Sequence, residues 1–221
     1  MHTAEVTEAR PDVREMYVIH RVFRRELALI PELVRGARDG DMPRAQTVGE
    51  HVRLVLAGLH MHHVGEDNVL WPRLIERAAP STGLVETMQA QHQRVDDCVQ
   101  QIEPALAAWL TDASKVRAER LAQAVEDLAA LLVAHLDLEE QEVLPLIERY
   151  ITVAEWASLG EHGRDAMTKR QLPLMFGSIL EDADADERTL MLSALPFPIR
   201  IVMRTVGARQ YRRYVRRTRG H

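Results

Sequence analysis

The chain has 221 residues, 46% of them hydrophobic, so it can bury one sizeable core. Its net charge is −5 and aromatic residues make up only 5%, while Ala, Leu, Val, Glu and Arg dominate, which favours helices over sheets. A single cysteine, Cys98, excludes an internal disulfide framework and cysteine-paired zinc or redox motifs. The start "MHTAEVTEARPDVREM" is polar and acidic, and no uncharged apolar run reaches about 18 residues, so we expect a cytoplasmic, all-α protein.

The first two predicted helices each carry histidine on an apolar face. The first spans Asp12 to about Arg38, ends at the breaker "GARDGDMP" and includes His20 in its apolar stripe. The second begins near Pro43, which suits the first turn of a helix, and continues toward Ala79. Its apolar stripe includes His62 and Glu66.

Two further helices complete a predicted bundle. The third spans about Gly83 to Leu110 with His92 on its apolar face, and the fourth follows the polar "TDASK" and carries His135. Four helices of this length, joined by short polar turns, predict an antiparallel four-helix bundle over residues 1–150. Residues 151–221 are predicted to add a C-terminal helical extension.

The C-terminal end has a charge opposite to that of the rest of the chain. Residues 196–221 contain eight arginines and no acidic residue, so this end carries about +8 and the remainder about −13. Apolar residues recur there with near-helical spacing, which predicts an amphipathic helix. We favour its docking on the acidic bundle of its own chain. Binding to a membrane surface, an acidic partner or nucleic acid is the alternative, although the sequence offers no recognised nucleic-acid fold.

One pattern occurs twice. The segments "HHVGEDNVLWP" (62–72) and "HLDLEEQEVLP" (135–145) each place a glutamate four residues and a proline ten residues after a histidine. A step of four residues keeps two side chains on one helical face, so Glu66 and Glu139 project beside the histidines that precede them. A lone histidine and acid at this spacing is weak evidence, but a matched pair on two apolar faces is not easily accidental.

Burying these groups together needs compensation. A buried charge without a partner costs several kcal/mol, and the carboxylates would be driven toward protonation. Two metal ions resolve the conflict, because each imidazole can bind one ion while a carboxylate spans both; otherwise these are core histidines satisfied by hydrogen bonds. Nitrogen and oxygen donors without thiolate suit iron or manganese, and dinuclear iron is the leading choice. The candidate metal ligands are His20, His62, Glu66, His92, His135 and Glu139.

The order of these residues resembles the hemerythrin HHE cation-binding domain family. That family has a histidine on the first and third helices and HxxxE on the second and fourth, which matches this chain over about residues 12–150. The resemblance implies a non-haem di-iron centre with an oxo, hydroxo or water bridge. It also implies that Glu66 and Glu139 bridge the two irons.

The chain departs from oxygen-carrying hemerythrins, which have a second histidine four residues from the first on the third helix and aspartate on the fourth. Here Asp96 follows His92 at that spacing. The second metal would therefore take its remaining ligand from Asp96, His63, Tyr17 or water. Surface placement is nevertheless the default expectation for His63 and for His60.

The departure bears on function. An open coordination position is where dioxygen, nitric oxide or peroxide would bind, and a carboxylate-rich site holds oxidised iron firmly, which argues against reversible oxygen carriage. The resemblance implies sensing or scavenging of these small oxidants and gases, with catalase-like peroxide disproportionation as the most enzyme-like version. No catalytic side chain can be assigned. The alternative is a noncatalytic module that binds or senses iron and docks a partner.

Overall fold

The computed structural model describes residues 10–78 and 81–220. Every regular element in these two ranges is helical, which confirms the all-α class expected from composition. No helix there combines the length and apolar character needed to cross a membrane. The predicted end of the second helix near Ala79 lies outside the described residues.

Four long helical stretches form the antiparallel bundle that the sequence predicts. They are α1 (Arg14–Gly36), α2 (Met42–Gly65) continued by α3 (Trp71–Arg77), α4 (Thr82–Asp112), and α5 (Lys115–Leu138) continued by α6 (Leu144–Tyr150). Helices α1 and α4 each pack against both α2 and α5, so the four form a closed ring in cross-section.

Two apolar clusters fill the bundle on either side of the histidines. On α1, Met16 belongs to one cluster and Leu27 to the other, and His20 lies between them. The same order recurs on α4, where His92 separates Met88 from Val95. A fully buried side chain of this kind contributes about 1.5–3 kcal/mol, so the clusters stabilise a bundle whose middle layer is polar.

Both copies of the repeated pattern leave α-helical geometry at their glutamate. Five-residue π-helical segments, Glu66–Leu70 and Glu139–Val143, follow α2 and α5. Pro72 and Pro145 then stand in the first turn of α3 and α6. Proline lacks an N–H and its ring collides with the carbonyl four residues back, so a wider turn before it relieves the conflict. The proline offset of the repeat thus accompanies a π segment.

The remaining helices cover one side of the bundle. They are α7 (Val153–Asp165), α8 (Leu172–Glu181), α9 (Ala185–Ser193), α10 (Phe197–Val202) and α11 (Ala208–Arg219), with a π-helical segment, Met203–Gly207, between the last two. Helix α7 packs on α2, whereas α8 and α9 pack on α1. Helix α11 packs on α8 and α2.

The arginine-rich helix docks on its own chain, as the charge distribution favoured. An Arg219 nitrogen lies 2.7 Å from an oxygen of buried Glu26, and another lies 2.6 Å from Glu181. Arg217 pairs with Glu50 on α2 at 2.7 Å. The basic end of the chain therefore neutralises part of the acidic bundle.

Candidate metal centre

Glu66 lies between histidines from two helices. Its Oε1 is 3.2 Å from His62 Nε2, and its Oε2 is 3.4 Å from His92 Nε2. The four-residue step places Glu66, which directly follows α2, beside His62, and the packing of α4 on α2 brings His92 to the opposite oxygen. One carboxylate thus faces two imidazoles with separate oxygens.

Glu139 occupies the corresponding place opposite. Its Oε2 lies 3.5 Å from His20 Nε2 and 3.7 Å from His135 Nε2. His135 stands one helical turn earlier on α5, and His20 comes from the neighbouring α1. The structure therefore brings all six sequence-predicted side chains into one layer.

The donor atoms of this layer divide into two groups that share Glu66. Within each group, one donor atom per residue lies within 4.8 Å of every other. The groups are His20, His62, Glu66 and Glu139, and His63, Glu66, His92 and His135. Two cations that share a carboxylate would fit such an arrangement.

His63 joins the layer, so its default surface placement is wrong. It is only 2% exposed, its ring stacks on that of His92 at 4.0 Å between centroids, and it meets His135 edge-on at 5.1 Å. The spacing from His63 to Glu66 is three residues, which also shares a helical face and could have identified it. The neighbouring His60 lies at the surface as expected, with 64% of its side chain exposed.

Asp96 and Tyr17, two other candidates for the open ligand position, lie outside both groups. The Asp96 side chain is 42% exposed, with a carboxylate oxygen 3.8 Å from His60. Tyr17 is 38% exposed and donates a long hydrogen bond of 3.5 Å to the carbonyl of Glu140. Of the three side chains that the sequence left open, only His63 reaches the layer.

The layer contains a concentration of buried polar atoms without hydrogen-bond partners among the described residues. They are Nε2 of His20, His62, His92 and His135, both ring nitrogens of His63, and both carboxylate oxygens of Glu66 and Glu139. Leaving one such group unsatisfied costs about 1–3 kcal/mol. Because so many of these atoms lie in a single layer, and fall into two groups, the residues fit bound metal cations that would satisfy them.

Three of the imidazoles form a hydrogen bond through Nδ1. In each, Nδ1–H donates to a side-chain oxygen, which leaves Nε2 with a lone pair directed at the glutamates. The pairs are His20 with Glu140 at 2.8 Å, His92 with Asp67 at 2.9 Å, and His135 with Gln91 at 2.9 Å. This arrangement fixes tautomer and ring orientation as metal-binding histidines require.

Burial makes the anionic form of both central carboxylates costly. It raises the pKa of Glu66, and burial together with the nearby Glu66 carboxylate raises the pKa of Glu139 to about 8. Two carboxylates in one buried layer repel each other unless a positive charge lies between them. A bound cation would remove this penalty.

The imidazoles respond to burial and to the charges around them. Burial, followed by neighbouring imidazoles, lowers the pKa of His62 and His63 well below the ordinary value and that of His135 to about 3. Burial also opposes the charged form of His92, but Asp67 and Glu66 outweigh it and raise its pKa to about 9. Without a metal, a proton on His92 would supply the positive charge that the carboxylates need.

A comparison with known families agrees with this geometry. The hemerythrin HHE cation-binding domain matches residues 12–147, a range that contains every donor of both groups and ends before α7. Neither curated proteins nor solved structures gave a significant match. The family match and the buried cluster of histidines and glutamates together support a bound metal cation. The chain belongs to the hemerythrin HHE cation-binding domain family.

Proposed function

We propose that this protein is a non-haem di-iron protein that binds or reacts with dioxygen, nitric oxide or peroxide. The observation that carries the proposal is the pair of buried donor groups that share Glu66 and whose inward-facing atoms have no hydrogen-bond partner in residues 10–78 and 81–220. Nitrogen and oxygen donors without thiolate suit iron or manganese, and dinuclear iron is our leading choice. When bound, the irons would supply electrons and open coordination positions for a small oxidant.

The donor set contains five imidazoles and two carboxylates. His20 and His62 would hold one iron, and His63, His92 and His135 would hold the other. Both glutamates would bridge, since each lies near histidines of both sides. With His63 included, the site is richer in imidazole than the sequence indicated. An imidazole-rich site holds oxidised iron less firmly than a carboxylate-rich one, so this donor set is compatible with reversible oxygen binding.

The surrounding side chains keep the donors in place. Glu140 accepts from His20 and also from Arg24, whose Nη1 lies 2.7 Å away, so the hydrogen bond to the ring is itself anchored. A second Arg24 nitrogen pairs with Asp137 at 2.7 Å. The two apolar clusters restrict water on both sides of the layer. Rigid donors in a dry layer preserve the coordination geometry that controls redox chemistry.

Metal analysis of single variants tests the proposal. Protein purified without chelators should contain about two irons per chain, because a bundle site of this type holds a metal pair. Replacing Glu66, Glu139 or His63 by Ala should lower the iron content, because each loss removes a donor from the layer. The exposed His60→Ala is the matched control and should retain iron. Equal retention in all four variants would contradict the ligand assignment.

Reaction with small molecules separates the two functional classes. A di-iron protein that handles oxidants should show near-ultraviolet absorption that changes when azide or peroxide is added, and an enzyme should also turn over peroxide. Iron without spectral change or turnover would instead indicate a noncatalytic iron-binding module.

A further inference from the structure

A cavity lies between the bundle and the C-terminal extension and reaches the candidate metal centre. Its volume is about 160 Å³. Ile19 and Phe23 on α1 line one side, and Leu159 on α7 and Ile179 on α8 line the other. His62 is the only member of the two donor groups that lines it.

His62 is also the donor that burial protects least. Its side chain is 8% exposed, whereas His20, His135 and both glutamates are fully buried. The same ring reaches Glu66, since His62 Nε2 lies 3.2 Å from Glu66 Oε1. A molecule in the cavity would therefore lie beside the outer edge of the donor layer.

The cavity wall is mainly hydrocarbon and thioether. Glu15 and Arg164 are the charged residues that line it in the described part of the chain, and the Glu15 carboxylate already accepts a 3.1 Å hydrogen bond from Trp156. Gly58 lets the Met175 side chain pack against the backbone of α2, because a Cβ there would lie 2.2 Å from the Met175 methyl. Such a wall offers few hydrogen bonds to a polar guest.

The volume of the cavity and its apolar lining together indicate which molecules it can bind. An apolar cavity of about 150 Å³ stays dry and binds benzene or xenon. A polar molecule entering such a space gives up hydrogen bonds to water without replacing them. Dioxygen and nitric oxide are small and weakly hydrated, whereas hydrogen peroxide is both a donor and an acceptor.

We propose that this cavity is a binding site for small apolar molecules and admits dissolved diatomic gases to His62 in preference to hydrogen peroxide. The site itself stands on the cavity, and its role in delivery rests on the proposed di-iron function. Helices α7 to α9 supply one wall and lie beyond the family match at residues 12–147, so the extension builds the site.

Xenon binding to the purified full chain, measured by xenon NMR, tests the site without any metal. Ile19→Phe and Ile179→Phe fill the cavity from opposite walls, and circular dichroism shows which of them fold. Ile75→Phe makes the same change on α3 at a residue that is 39% exposed and outside the cavity. We expect saturable xenon binding in the wild type and in Ile75→Phe, and its loss in the filled variants. Absence of binding in the wild type, or unchanged binding in the filled variants, would overturn the proposal.

The delivery role has its own measurement. In iron-loaded protein, filling the cavity should slow the reaction with nitric oxide and leave the reaction with hydrogen peroxide at the wild-type rate. Equal slowing of both reactions would refute the selectivity for gases. A chain that binds xenon but no iron would refute the di-iron function and the delivery role, while supporting the apolar binding site.

Discussion

Three buried glutamates in this bundle have their charges compensated in different ways. Glu26 is 2% exposed, and its oxygens lie 2.7 Å from an Arg219 nitrogen and 3.2 Å from His51 Nε2. Glu66 and Glu139 are buried as deeply, yet none of their oxygens has a hydrogen-bond partner in the described part of the chain. Two arginines of the chain itself, Arg25 and Arg219, compensate the charge of Glu26, whereas no arginine among the described residues pairs with Glu66 or Glu139.

The pKa of Glu26 shows the effect of that compensation. Burial by itself would raise the pKa, but His51, Arg25 and Arg219 outweigh it and lower the value from 4.5 to about 2. A depressed pKa means that the ionised carboxylate stabilises the fold above pH 4.5, and that this contribution disappears as the pH falls toward 2.

Glu26→Gln should therefore be less stable than the wild type at neutral pH, by an amount on the order of 3 kcal/mol. The difference should shrink below pH 4.5 as Glu26 takes up its proton. Denaturant unfolding at a series of pH values measures this, with the exposed Glu32→Gln as the control that changes little. A difference that stays constant with pH would show that ionisation of Glu26 is not the cause.

At the scale of the helix, α2 explains why periodicity missed one donor. Helical spacing assigned α2 one buried face, on which His62 lies. In the structure α2 contacts α1, α4, α7 and α11, so much more of its surface is covered. The adjacent His62 and His63 therefore both face the layer. The assumption of one buried face was correct for α1 and α4, each of which contributes one histidine to the groups.

Helix α7, one wall of the cavity, depends on a junction at its first turn. Thr152 Oγ1 accepts a 3.3 Å hydrogen bond from the Glu155 N–H, and a Glu155 oxygen accepts a 3.0 Å bond from the Thr152 N–H. The same carboxylate binds Arg73 and Arg77 on α3, at 3.1 and 2.7 Å. The cap thus ties the extension to the bundle.

Thr152→Ala should lower the free energy of unfolding by about 1 kcal/mol, since it removes the side-chain cap of α7. Thr152→Ser keeps an acceptor oxygen and should retain most of the stability. Thermal unfolding of the three proteins provides the measurement. If the Ala and Ser variants were equally destabilised, the lost methyl group rather than the cap would be responsible.

At the scale of the whole molecule, opposite charges hold the extension on the bundle. Arg217 and Arg219 of α11 pair with acidic residues of α2, α1 and α8. Other arginines of this end remain exposed, and so do four large apolar residues: Phe197, Ile201, Val202 and Val206. Binding of this face to a membrane surface or an acidic partner remains a prediction, which salt-dependent association with anionic vesicles would test.

Arg219→Ala should destabilise the protein by about 1–3 kcal/mol, because it leaves Glu26 and Glu181 without one of their donors. Arg213→Ala is the matched control, since Arg213 is exposed on the same helix and its loss should change stability little. Deleting residues 196–221 should destabilise the protein further. Equal stability of the Arg219 and Arg213 variants would show that the docking contact contributes nothing.

The sequence by itself determined the helical class, the four-helix bundle and six of the seven candidate donors that the structure brings together, because helical periodicity and the repeated histidine, glutamate and proline spacing are local properties. Only the tertiary structure decided the placement of His63 and the cavity at His62. Each of these depends on which helices cover a given face, and that is a property of packing between distant segments rather than of spacing along the chain.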